Sequence, residues 1–513
     1  MRVLAARQIA ALLMTVLLVS TSFSAYSQRN TRNRQPSRAS LAYTSALQSF
    51  QDTRVPYAIS EQLAKAGIPV SSVGIYVQEI SGNKANLLSV NPQTPMNPAS
   101  TMKLVTTYAA MEIIGTQHQW ITMVYRDGPV VNGTLNGNLI FKGSGDPKIT
   151  AEDFQVILQK LQEAGIYHIT GDLVLDRTQF NVPPGRPFDG NTTRSYNVDA
   201  DALMLGYKSV VVRLSGDPVA QEVNVSLLPH PKQVEIVNNV QFDRTCGNWS
   251  NKVRTQLVPT TEGGYRLIVS GAFSSECGDK DLSPIAILNM PQFFGGVFET
   301  EWAKLGGTFS GQIRNGAVTT TATPVIMHRS EPLDTIVWHT NKASNNMFAK
   351  HLFLSLSAKD AQMVATRERS AATVNEWLRT KGLSFPELIM ENGSGLSRVE
   401  QIAPKHLGLL LEKASASPVF DRYVNSLPIV GIDGTMARRL RGRHVTGRAY
   451  IKTGTLRDVK AIAGYVQSHT KRDYVVVFLI NHPNANSAHG VNALDQLIEW
   501  VYLDGPGSEF PAI

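Results

Sequence analysis

The stretch Pro98-Ala99-Ser100-Thr101-Met102-Lys103 runs directly into a segment where Leu104, Tyr108 and Met111 recur at i, i+4 and i+7, the spacing of one helix face. A serine that opens such a helix and a lysine one turn later project from the same side. The helix start also turns its unpaired N–H groups toward any anion that forms near Ser100. The S-x-x-K pattern occurs again at Ser81-Gly82-Asn83-Lys84 and Ser468-His469-Thr470-Lys471. Both of those fall in expected hairpin turns, where a flexible lysine has no fixed relation to the serine. Ser100 is singled out by its helix.

Two further motifs follow in order, Ser344-Asn345-Asn346 as S-x-N and Lys452-Thr453-Gly454 as K-T-G. Each is weak alone. S-x-N also occurs at Ser89-Val90-Asn91 and Ser195-Tyr196-Asn197, and such a triplet is more often a helix cap. K-T-G occurs once, on an expected strand, and is followed by Thr455. Taken alone, Lys452 would be an ordinary strand lysine. The ordered triple lifts all three above these bland readings.

The residue types suit nucleophilic catalysis. A serine hydroxyl attacks poorly until a neighbouring base takes its proton. Lys103 serves as that base only if its pKa falls from about 10.4 toward ~7, which burial and the charge of Lys452 both promote. Ser344 is placed to relay a proton to the leaving nitrogen, and Asn346 to hold the substrate amide and Lys103. The backbone N–H groups of Ser100 and Thr455 form the expected oxyanion hole, each donor worth about 3–4 kcal/mol. Lys452, beside the Thr453 and Thr455 hydroxyls and close to Gly454, suits a substrate carboxylate.

Around these motifs the chain reads as α+β. Ala58 to Gly67 is expected as helix, Val73 to Ile80 as strand, Ser81-Gly82-Asn83 as turn and Ala85 to Val90 as the paired strand. Helices return over Asn345 to Ser357 and Ala361 to Thr380. Ala449 to Lys452, Ala461 to Ser468 and Tyr474 to Ile480 read as successive strands. A closing helix over Gly490 to Leu503 turns Val491, Leu494, Ile498 and Val501 inward. Between roughly 119 and 325 short β-like runs separated by Gly, Asn, Asp and Pro predominate, which reads as a β-rich insert of one or two small domains. The catalytic halves are then 42–118 and 326–513.

The first residues read as an address. Arg2 and Arg7 precede an apolar run from Ile9 to Val19, which is the length of a signal-peptide core and too short to span a bilayer. Ala25 and Ser27 fit a cleavage site, giving a leader over 1–27 and a basic linker over 28–41. No later segment is long and apolar enough to span, so the mature protein is expected outside the cytoplasm, in the periplasm. The net charge of +8 loses Arg2 and Arg7 with the leader, and Arg29, Arg32, Arg34 and Arg38 carry much of the rest. The folded body is therefore close to neutral, which argues against nucleic acid as partner.

Cys246 and Cys277 are the only cysteines. In an oxidising compartment such a pair is read as a disulfide, because zinc needs further ligands at short spacing. Without HExxH, CxxC or a Walker-type loop, nothing calls for a metal or other cofactor.

The segments Asn97-Pro98-Ala99-Ser100-Thr101-Met102-Lys103, Asn341-Lys342-Ala343-Ser344-Asn345-Asn346 and Lys452-Thr453-Gly454-Thr455-Leu456 resemble the penicillin-binding D-alanyl-D-alanine carboxypeptidases, in the low-molecular-mass class C type that carries a large inserted region. Gly143-Ser144-Gly145-Asp146-Pro147, Gly393-Ser394-Gly395-Leu396-Ser397-Arg398 and Asp433-Gly434-Thr435-Met436 add to the likeness, which spans about Leu47 to Asp504. The resemblance implies a penicillin-binding/β-lactamase-like domain split by the insert. It also implies acylation of the serine by peptidoglycan stem peptides ending in D-Ala-D-Ala, hydrolysis with some cutting of D-alanyl cross-links, and covalent inhibition by β-lactam antibiotics. Two positions depart from the family pattern: Asn345 where many members have Asp, and Asn392 where Asp is expected, which bears on deacylation. A β-lactamase is disfavoured because no E-x-x-L-N element follows Ser344. An esterase of the α/β-hydrolase type lacks its G-x-S-x-G. A non-catalytic wall-binding protein is at odds with the intact Ser100, Lys103 and Lys452.

Overall fold

The computed structural model describes residues 37–183, 185–358 and 363–505. The expected leader and most of the basic linker lie outside this range. The linker's far end needs correction: Ser37 accepts the Ser40 N–H at 3.1 Å and caps a helix over Arg38–Gln48, so Arg38 to Leu41 are helical.

Strands β1 (Val73–Glu79) and β2 (Asn86–Val90) form the first hairpin. Strands β3 (Ala449–Leu456), β4 (Val459–Gln467) and β5 (Asp473–Asn481) come from the far end of the chain. The sheet runs β3-β4-β5-β1-β2, antiparallel throughout, with Val73 opposite Ile480 where the two chain ends meet. Period-2 alternation gives β5 two apolar faces. Val475, Val477 and Leu479 pack toward α1 (Lys103–Ile113), α2 (Leu333–Lys342), α3 (Asn346–Ser355) and α4 (Pro404–Ser415). Val476, Phe478 and Ile480 pack toward α5 (Ala488–Tyr502), whose Leu494, Ile498 and Val501 are buried while Val491 is half-buried. Each fully buried Val, Leu or Ile contributes roughly 1.5–3 kcal/mol.

α1 lies wholly in the first of these two cores. The sequence suggests one apolar face, but α1 is buried all round from Lys103 to Met111. Its threonines are absorbed by hydrogen bonds: Thr106 Oγ1 donates to the Gly393 carbonyl at 2.6 Å and Thr107 Oγ1 to the Lys103 carbonyl at 2.7 Å. A lysine at the head of such a helix is necessarily desolvated.

The inserted region is built on a five-stranded sheet of Ile313–Asn315, Leu173–Asp176, Leu139–Lys142, Ile121–Arg126 and Thr323–Arg329. Its last strand carries the insert past residue 325. The β-rich expectation overlooked two helices. Ala151–Glu163 starts with a capping box that uses Asp153 rather than Glu or Gln. Met290–Lys304 contains Gly295 and Gly296, which look like breakers but are contact points: a Cβ would lie 2.4 Å from Ile313 Cδ1 and 1.8 Å from Gln233 Oε1 respectively. The smaller strands, Val211–Asp217 and Glu222–Leu228 with Val234–Phe242, Arg254–Pro259 and Tyr265–Phe273, share one continuous apolar core with the larger sheet. Cys246 and Cys277 are joined, with Cα atoms 5.0 Å apart.

The insert docks on α3. Lys350 Nζ donates to the Val198 carbonyl at 2.8 Å, His351 Nε2 lies 3.0 Å from the Asp201 carbonyl, and Tyr207 packs on Phe348 with centroids 5.7 Å apart. The helix expected from Ala361 begins at Arg367, after the Thr366 cap, and Ala361 itself lies outside the described residues.

Candidate active site

Ser100 sits in a tight helical turn, Ala99–Met102, that precedes α1. Lys103 follows as the first residue of α1, with no exposed surface. Its Nζ lies 2.9 Å from Ser100 Oγ and 2.7 Å from Asn346 Oδ1, and it also donates to the Ser394 carbonyl. Burial, reinforced by the Lys452 ammonium, holds the Lys103 amine well below the ordinary lysine range, while the Glu400 carboxylate opposes that shift.

The S-x-N triplet lies between α2 and α3 and divides its labour. Asn345 is a helix cap, its Oδ1 accepting the Phe348 N–H at 3.1 Å, so the cap reading holds for this one residue. Ser344 takes the left-handed conformation with φ of 55°, a strain of order 1–3 kcal/mol in a non-glycine residue. That bend lets Ser344 Oγ accept from Lys452 Nζ at 2.8 Å, while Asn346 reaches Lys103.

Lys452, also fully buried, lies on β3, the edge of the sheet, and burial pushes its pKa down to about 7. Two positions on, Gly454 permits β3 to pass the Ser100 turn: a Cβ would lie 2.7 Å from the Pro98 carbonyl oxygen and 3.1 Å from Ala99 Cβ. The ladder fixes where the next peptides point. The Gln467 N–H donates to the Arg448 carbonyl, so even-numbered β3 residues bond β4. Odd-numbered ones face outward: Ile451 N–H donates to the Pro428 carbonyl and the Ala449 carbonyl accepts from Val430. By the same alternation the Thr453 and Thr455 N–H groups point to the open edge. The Thr453 hydroxyl pairs with Thr435 at 2.8 Å and the Thr455 hydroxyl accepts from Lys460 at 2.9 Å.

The structure thus brings the predicted residues together as two neighbouring hydrogen-bonded groups, Ser100–Lys103–Asn346 and Ser344–Lys452, close enough for the Lys452 charge to act on Lys103, with Thr453, Gly454 and Thr455 along the rim. Four participants escaped the sequence reading: the Ser394 carbonyl, Glu400, Thr435 and Lys460. The likeness of the fragments 393–398 and 433–436 to the family carries no role for their residues; the structure sets Ser394 against Lys103 and Thr435 against Thr453. Asp433 anchors its loop through Lys342, 2.6 Å away, beside the Thr435 contact. The fragment 143–147 lies away from the serine, in the insert, where the Gly145 N–H donates to the Ala202 carbonyl at 2.8 Å. Beside the cluster a cavity of about 490 Å³ is walled by Ser344, Asn345, Asn346 and Met347 on one side and by Thr150, Tyr196 and Tyr207 of the insert on the other.

A serine at a helix start, a buried lysine amine 2.9 Å from its hydroxyl and an open strand edge beside them form an arrangement suited to acyl transfer through a serine. A family model described as the D-Ala-D-Ala carboxypeptidase 3 (S13) family matches residues 56–501. The chain belongs to that family and is a serine-type D-Ala-D-Ala carboxypeptidase. It is 26% identical over 415 residues to the D-alanyl-D-alanine carboxypeptidase DacB of Haemophilus influenzae, covering 80% of this chain and 85% of that one. It is 28% identical over 387 residues to the D-alanyl-D-alanine carboxypeptidase of Actinomadura sp., covering 72% and 70%. The crystal structure of penicillin binding protein 4 from Haemophilus influenzae superposes with a TM-score of 0.69 at 26% identity, covering 84% of this chain and 96% of that one. A second crystal structure of that protein, complexed with a β-lactam, gives 0.68 at 25% identity, covering 87% and 100%. The fold is that of the penicillin-binding proteins.

Proposed function

We propose that the protein cleaves the terminal D-Ala-D-Ala bond of peptidoglycan stem peptides, and D-alanyl cross-links of the same chemistry, through an acyl-enzyme on Ser100. The observation that carries this reading is the set of three partners around Lys103 Nζ. Two of them, Asn346 Oδ1 and the Ser394 carbonyl, are pure acceptors. A neutral amine gives each of them an N–H, and its lone pair is left facing Ser100, which alone has a proton to give.

Ser100 Oγ attacks the penultimate D-alanine carbonyl as its proton passes to Lys103. The tetrahedral oxyanion lies between the N–H of Ser100, in a first turn without intrahelical acceptors, and the outward N–H of Thr455. The C–N bond then breaks as the proton held on Lys103 passes by way of Ser344 to the departing nitrogen, which leaves Lys103 neutral again. Lys103 then takes a proton from the water that attacks the ester carbonyl, and that proton returns to Ser100 Oγ as the ester C–O bond breaks. Lys452 binds the terminal carboxylate, and the outward edge of β3 pairs with the substrate backbone as an added strand. The cavity shared with the insert receives the stem peptide that precedes the D-alanines.

β-Lactams, whose carboxylate and strained amide mimic this substrate, acylate the same serine. A substrate of this kind, peptidoglycan, argues for work in the periplasm. The test is release of D-alanine from a purified muropeptide pentapeptide. Stoichiometric D-alanine with a tetrapeptide product is expected, and a pentapeptide left intact contradicts the reading.

A further inference from the structure

A second carboxylate lies buried behind the catalytic lysine. Glu400 has no exposed surface, and each of its neighbours is a donor. Oε1 accepts the N–H groups of Glu391, Asn392 and Gly393 at 3.1, 2.9 and 2.8 Å, and Oε2 accepts that of Gly395 at 2.8 Å. Burial pushes the Glu400 carboxyl above the ordinary glutamate range, and the N–H groups of Asn392, Gly393 and Gly395, with the nearby Lys103, oppose that shift; a protonated carboxyl would have no acceptor among these donors for its own proton. Ser397 Oγ accepts the Glu400 N–H at 3.1 Å and fixes the other end of the loop.

The loop so wrapped is the one that touches the base. Between the Gly393 and Gly395 N–H groups lies Ser394, whose carbonyl accepts from Lys103 Nζ. Asn392 Oδ1 supports the same turn, accepting from Ser394 N at 2.9 Å and Ser394 Oγ at 2.6 Å. Residue 392 therefore uses its side chain within the loop, and its own N–H is held by the Glu400 carboxylate. The loop is also pressed against the nucleophile's turn: a Cβ on Gly395, whose φ is +79°, would lie 1.9 Å from the Ala99 carbonyl oxygen.

We infer that Glu400 is a positioning residue for acylation: its carboxylate holds the 391–397 loop so that the Ser394 carbonyl takes one Lys103 N–H and the lysine lone pair stays on Ser100. The inference rests on the acylation chemistry proposed above. Glu400 also sets the field at the base. The charged groups facing Lys103 are Lys452 from β3, Lys350 from α3 and Glu400 from the loop. Lys350 is in turn offset by Asp199, with Arg367 and Glu391 farther out. Among the described residues, Glu400 is thus the acidic group that acts on Lys103 against two cations.

The test is the second-order rate of acylation by a fluorescent penicillin, measured from pH 5 to 10, for the wild type, Glu400→Gln and Glu400→Asp. Glu400→Gln places an N–H₂ against a backbone donor and removes the charge. Its rate at the optimum is expected to fall by about 10- to 100-fold, and its acid limb to move to lower pH because the base loses the anion that stabilises its protonated form. Glu400→Asp keeps the charge but is one methylene too short, so its rate falls while its acid limb stays with the wild type. A purely structural role would reduce the labelled fraction and leave the limb of the surviving enzyme in place. An acid limb in Glu400→Gln that overlays the wild type overturns the inference. If that variant does not fold, wild-type rates in Glu400→Asp overturn it instead. An unlabelled wild type would strike the acylation reading itself and is thereby told apart from a failure of Glu400's role.

Discussion

Lys103 Nζ stands 2.9 Å from Ser100 Oγ, one helical turn along and wholly shielded from water. That pairing concentrates the chemistry on a short proton transfer, because a desolvated amine is basic without being permanently charged. Replacing Lys103 with Met keeps the volume and removes the base. The expected loss is about 10²- to 10⁴-fold in acylation rate, with the fold retained or slightly stabilised since a buried amine is gone. Stopped-flow labelling with a fluorescent β-lactam and a thermal melt check both parts.

The two lysines predict a pH profile of opposite signs. Acylation rises with pH as Lys103 loses its proton, at a value burial has lowered. Substrate capture needs Lys452 charged, and burial brings that group down to about 7, so capture weakens as pH rises through about 7 in the free enzyme. The profile of kcat/KM for a D-Ala-D-Ala peptide is therefore bell-shaped. Lys452→Arg, permanently charged, lifts the alkaline limb even if its peak is lower. An alkaline limb common to both enzymes would remove Lys452 from that role.

Gly454→Ala separates packing from chemistry. The added Cβ falls 2.7 Å from the Pro98 carbonyl oxygen, so β3 must withdraw from the Ser100 turn and take the Thr455 N–H with it. The expected result is a loss of about 10²-fold or more in acylation, matching removal of one oxyanion donor, with circular dichroism unchanged.

The disulfide lies in the insert, remote from the serine. Cys246→Ser with Cys277→Ser should cost roughly 3–4 kcal/mol of stability in the chain-entropy model for a separation of 31 residues. The acylation rate constant of the folded protein should not move. Melting with and without reductant, beside the same labelling assay, reads both.

How much of this was legible in the sequence follows from what each residue depends on. Ser100 and Lys103 are joined by one helical turn, and β3 to β5 stand out as short runs rich in apolar residues, so local sequence was enough. The cluster with Ser344 and Lys452 was legible only as an ordered set of motifs, since 108 positions separate those two side chains. Glu400 was not legible, because its role comes from four backbone N–H groups and no side-chain pattern announces such a nest. Nor was the complete burial of α1, which arises when helices of the C-terminal half close over a helix whose own periodicity is modest. The insert's second helix was hidden by Gly295 and Gly296, whose purpose shows only in the side chains they admit.

The central claim is a covalent bond at Ser100. Intact-mass spectrometry after incubation with penicillin G, followed by peptide mapping, tests it most directly. One added penicilloyl group, located on the peptide that contains Ser100 and absent in Ser100→Ala, is the predicted result. An adduct on another residue, or one that persists in Ser100→Ala, would contradict the account.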